Sequence, residues 1–157
     1  MTYALAASAI AVPVTTTYEF VTEQSNVILA GGIRGGTFYF PVAGQFDFVV
    51  DNEIGEAFFS QVNAQWGSYD LESEFNMTNL HGDVIDSENI LFTGESTDGF
   101  LDISINLYFG DDTLYLDGGF VFADGEEILD AVAVVVPEPT TFIVFSLGCL
   151  FLIKRRM

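Results

Sequence analysis

Carboxylates are the one chemically active group this chain offers in quantity. Of its 157 residues 23 are Asp or Glu, against one histidine and one cysteine. They gather in short acidic stretches: Asp83 with Asp86 and Glu88, Asp111-Asp112, and Asp124-Gly125-Glu126-Glu127. Calcium takes about six to eight oxygen ligands, and acidic loops at one end of a β-domain could supply them. None of the three stretches fits an EF-hand loop or the glycine-rich nonapeptide calcium repeat. Solvated turns and no required cofactor are therefore expected, with calcium as the alternative. Glycoside hydrolysis needs two carboxylates across a sugar, one of them with a raised pKa. In so acidic a chain pairs are inevitable, and the sequence alone singles out none. Nucleophilic hydrolysis would need His81 beside an activated Ser or Cys. No Gly-x-Ser-x-Gly occurs, Leu80-His81-Gly82-Asp83 reads as a turn, and no catalytic residue is assigned.

Binding chemistry has one aromatic candidate. Trp66 and Tyr69 flank Gly67, and exposed aromatic rings stack on sugar faces. The competing expectation for Trp66 is burial in the core. Gly31-Gly32-Ile33-Arg34-Gly35-Gly36 lacks the Lys-Ser/Thr ending of a phosphate loop and reads as a hairpin or bulge. Asn76-Met77-Thr78 fits the N-glycosylation pattern. The single cysteine, Cys149, excludes a disulfide within the chain and any Cys-based metal site. Net charge is −19, and residues 1–153 set every one of the 23 acids against Arg34 alone. Such a field repels phosphate backbones, which excludes nucleic acid as a partner, and suits cations or neutral glycans.

The last residues carry a different message. Pro137-Glu138-Pro139-Thr140-Thr141 precedes an uncharged apolar run, Phe142 to Ile153, which ends in Lys154-Arg155-Arg156 and a final Met. The prolines fix φ and lack N–H groups, so the chain around Glu138 is extended and fits the cleft of a processing enzyme. As a helix, residues 140–153 span about 21 Å, short of the roughly 30 Å hydrocarbon core unless Lys154 and the arginines snorkel. Three of the chain's four basic residues directly after an apolar run make the positive-inside pattern, with the C-terminus in the cytoplasm. These three elements in this order resemble the PEP-CTERM sorting signal of bacterial surface proteins. The resemblance implies export across the inner membrane and recognition by an exosortase. It further implies cleavage near Pro137-Glu138-Pro139 and delivery to the cell surface or an exopolysaccharide matrix, mainly in Gram-negative bacteria. On this reading Lys154, Arg155 and Arg156 form the membrane stop.

An exported chain needs a leader. Residues 1–13 are small and apolar, and Ala7-Ser8-Ala9 and Ala9-Ile10-Ala11 both fit a signal-peptidase site. No Lys or Arg precedes Arg34, so a start upstream of Met1 is expected.

Residues 14–136 must then form one ectodomain. Phe, Tyr, Val and Ile abound, punctuated by Gly or Asp at intervals of about eight to twelve residues. Leu101, Ile103, Ile105, Leu107 and Phe109 alternate with more polar residues, the period of a strand with one buried face. Leu114–Leu116 and Gly119–Phe122 flank Asp117-Gly118, which predicts a two-residue hairpin, and Asp98-Gly99 predicts another turn tip. Further strands are expected at 16–21, 27–33, 37–42, 45–50, 57–66, 69–77, 90–92 and 129–136. This reading gives an all-β fold, an antiparallel β-sandwich or open barrel, followed by a C-terminal hydrophobic helix. Within it a non-enzymatic surface protein binding polysaccharide or neighbouring proteins is the leading function. A calcium-stabilised adhesive module and a secreted hydrolase are the alternatives.

Overall fold

The computed structural model describes residues 12–137 except 33, 34, 52, 111 and 112. Ten strands follow in order: β1 (Val14–Phe20), β2 (Asn26–Gly31), β3 (Thr37–Asp51), β4 (Glu56–Trp66), β5 (Tyr69–Asp70), β6 (His81–Val84), β7 (Asn89–Glu95), β8 (Asp102–Phe109), β9 (Thr113–Phe122) and β10 (Gly125–Val135). One short helix, α1 (Leu71–Phe75), and 3-10 turns at Thr22–Gln24 and Met77–Asn79 complete the elements. Among the described residues no helix is long and apolar enough to cross a membrane.

The strands close into an antiparallel eight-stranded barrel, correcting the expected sandwich or open barrel. Closure comes from the first and last strands. β1 and β2 run in the same direction between β3 and β10 and act as one interrupted strand. The β10 ladder therefore meets the start of the chain, and the edges a sandwich would leave open are used up. Ser25, fully buried, heals the interruption. Its hydroxyl donates to the Val132 carbonyl at 2.9 Å and accepts from the Val132 amide at 3.1 Å, replacing the missing ladder pair. Ser25→Ala would leave that amide buried without a partner, so unfolding in urea should show a loss of about 1–3 kcal/mol.

Alternation fills the interior. Ile103, Ile105 and Leu107 of β8 are at most 1% exposed, with Leu101 partly buried behind them, as the sequence pattern requires. Eight strands enclose a space that side chains can just fill. Here Phe46, Phe59 and Phe92 do so, with ring centroids 5.5 Å and 4.7 Å apart. The outward faces carry Glu19, Asp102, Asp117 and Asp130, all exposed, the reverse of a lipid-facing barrel wall.

Local expectations divide. Asp98-Gly99 is a turn tip, closed by the Gly99 amide on the Ser96 carbonyl at 2.8 Å. Asp117-Gly118 is not a turn: β9 runs straight through it. Residues 37–50 form one strand rather than two, and His81 begins β6 rather than a turn. Residues 69–77 are largely helical, because Asp70 caps α1 by accepting the Glu72 amide at 2.8 Å. The helix ends at Asn76 in the left-handed conformation (φ 49°), and the Asn76 side chain donates to the Glu95 carbonyl at 2.8 Å. Leu71, Phe75 and Met77 are fully buried, so this segment plugs one end of the barrel. The expected C-terminal helix lies outside the described residues, as does nearly all of the expected leader.

Candidate functional site

The barrel has two unlike ends. At the first, Val14 begins β1 opposite the end of β3, and the Val136 amide bonds the Thr17 carbonyl at 2.9 Å as the chain leaves toward Pro137. Pro137 is exposed there; Glu138, Pro139, Lys154, Arg155 and Arg156 lie outside the described residues. At the opposite end sit the α1 plug, the β4–β5 turn and the β9–β10 turn. The aromatic pair and the acidic stretch at 124–127 belong to this far end.

Trp66 does not offer a sugar a stacking face. It is 4% exposed, with Tyr69 stacked on its indole at 4.7 Å and Phe40 edge-on at 5.2 Å. Period two explains the burial: in β4, Ala64 and Trp66 point inward while Asn63 and Gln65 point outward. Its indole N–H has no protein partner. Tyr69 is 57% exposed and is the ring a glycan could reach.

Glu127 is the residue that sequence reasoning missed. The acidic stretch at 124–127 reads as a turn, yet the turn ends at Asp124 and β10 begins at Gly125. Counting back by twos from Leu129 would have put Glu127 on the inner face with Ala131 and Ala133. The side chain is 9% exposed, and Oε1 has no hydrogen-bond partner. Burial first, and the nearby Glu74 carboxylate second, push its pKa up to about 7. Glu74 and Phe120, the β9 residue opposite Glu127, line a hollow of about 320 Å³ together with Ser96 and Asp98. Asp98 is held below the usual carboxylate range, first by the Ser96 hydroxyl and then by the Phe100 amide.

The sign of the Glu127 effect follows from linkage. Folding tightens its proton, so the resulting stability is complete below the ordinary glutamate range and is lost as pH rises through about 7. Glu127→Gln keeps the shape without the charge. It should therefore stabilise the barrel by about 1–2 kcal/mol at pH 8, after allowing for screening, with little gain at pH 5. Urea melts of both proteins at the two pH values read this directly.

The remaining candidates do not converge. His81 lies 3.3 Å from Asp83 on the outer wall, with both side chains about 60% exposed. Asp86 is occupied by its own turn: its carboxylate accepts the Glu88 amide and the Asn89 side chain, which lower its pKa in that order. Asp111, Asp112 and Arg34 lie outside the described residues. Among the described residues no three His, Cys, Asp or Glu side chains are arranged to hold a metal ion. Comparison with protein families, with curated proteins and with solved structures finds no match to this chain.

Proposed function

We propose that this is an exported surface or matrix protein, sorted by an exosortase through Pro137-Glu138-Pro139, whose non-enzymatic barrel holds neutral polysaccharide at its far end. The observation that carries this reading is the order of the tail: the Pro-Glu-Pro motif, an apolar run and Lys154-Arg155-Arg156. The barrel geometry is compatible with it. Val14 and Pro137 share one end, so a tether there leaves Tyr69 directed away from the membrane. Glu53, Asp86 and Glu88 are exposed in turns at the tethered end and hold the barrel off an anionic bilayer. A hydrolase is the weaker reading, because the one carboxyl among the described residues with a strongly raised pKa keeps Oε1 sealed from solvent.

Two variants test the two halves of the proposal. Removal of residues 137–157 should abolish surface delivery while leaving the exported barrel folded. Tyr69→Ala should release the delivered protein from a neutral polysaccharide in a pull-down. Surface delivery without the tail, or undiminished pull-down of the Ala variant, would overturn the corresponding half.

A further inference from the structure

We infer that Pro137-Glu138-Pro139 docks on the barrel itself, prolonging β10 as a short strand along the open edge of β1. β1 starts at Val14, whereas β10 ends at Val135, opposite Tyr18. Residues 14–16 therefore project beyond the ladder. Residues 14–17 and 135–137 line a groove there of about 460 Å³. Pro137 already lines it, so Glu138 and Pro139 are the nearest stretch of chain that can fill it.

The phase of the hydrogen bonds fits this tripeptide. The Val136 amide donates to the Thr17 carbonyl and the Val21 amide to the Val132 carbonyl, so the odd-numbered residues of β1 bond β10. Continuing the observed register sets Pro137 opposite Thr16, Glu138 opposite Thr15 and Pro139 opposite Val14. Both prolines then fall at positions that exchange no hydrogen bond with β1, where a missing N–H costs nothing. On the other side of β10 the described ladder with β9 stops at Thr113, opposite Val134, so no bond is lost there either. Glu138 carries the only N–H of the tripeptide, and the same phase aims it at the Thr15 carbonyl. Thr15 lies beside Val49 on β3, but by alternation its N–H and C=O face the groove. Pairing stops where the motif stops, because Pro13, opposite Thr140, has no N–H to offer.

Docking has a functional consequence, which rests on the sorting proposed above. A cleft that binds an extended segment through its backbone would find the motif's one N–H already bonded to Thr15. The strand must therefore peel from β1 before an exosortase can cut it.

Amide exchange, followed by NMR on the purified full chain in mild detergent, tests the docking whether or not an exosortase cuts this chain. Glu138→Pro removes the N–H that pairs with Thr15, so the Thr15 amide should exchange at least about fivefold faster in this variant than in the parent. Glu138→Gln keeps that N–H and should leave Thr15 exchanging as in the parent. The Val21 amide, inside the β10 ladder, should be unchanged in all three proteins and reports an intact barrel. Equal Thr15 exchange in the parent and in Glu138→Pro would overturn the inference. Fast exchange in both would mean a bare edge; slow exchange in both would assign the edge to residues 1–11 or to a second copy.

Discussion

Ile103→Asp unfolds the barrel. Ile103 is 1% exposed and sits on the inner face of β8, opposite Gly94 of β7. An aspartate there would bring a carboxylate into a lining of Phe, Leu and Ile, and no described Lys or Arg could pair with it. Burying a charge without a partner costs several kcal/mol, comparable with the whole stability of an ordinary domain, about 5–15 kcal/mol. The strand signal in circular dichroism should be lost at room temperature. Ser104→Asp, one residue along and facing solvent, should stay within about 0.5 kcal/mol of the parent. An Ile103→Asp protein as stable as the parent would show that β8 is turned the other way.

Gly118→Ala should be nearly as damaging, for a backbone reason. Gly118 has φ of 144°, where L side chains are rarely found, and a Cβ there would collide with the Ser104 carbonyl oxygen on β8. The adjacent Gly119 is equally confined from the other side, against the Glu127 carbonyl of β10. The pair lets the backbones of β8 and β10 approach β9 closely on either side. Strain plus collision should cost roughly 3 kcal/mol or more, read as a lower urea midpoint. Gly55→Ala separates the two causes: its φ is 72° but nothing lies within 4 Å of the added carbon, so only about 1 kcal/mol should be lost. Equal losses at the two positions would show that the close approach contributes nothing.

These glycines also mark where the sequence misleads. Asp117-Gly118 between two apolar runs has every local feature of a hairpin tip, yet β9 continues through it and the glycine admits the close backbone of β8. Local rules succeed where one face decides the outcome, as in Ile103, Ile105 and Leu107. They fail where tertiary contacts override propensity. Residues 71–75 look strand-like until Asp70 caps them into a helix over the barrel mouth. Closure itself was invisible, because it depends on β10 finding β1 and β2 from the far end of the chain. Of the candidate binding pair, Tyr69 is exposed while Trp66 lies beneath it, since alternation from Ala64 turns the indole inward. Glu127 was masked by its acidic neighbours at 124 and 126, which disguise the start of a strand as a turn. The Pro-Glu-Pro motif, the apolar run and the basic end form a linear pattern, so they could be read without any fold.

That tail is the basis of the functional account, and the intact mass of protein recovered from the cell surface tests it most directly. The recovered chain should end near Pro137-Glu138-Pro139, having lost both the apolar run and Lys154-Arg155-Arg156. Recovery of only the uncut chain, confined to the cytosol, would contradict it.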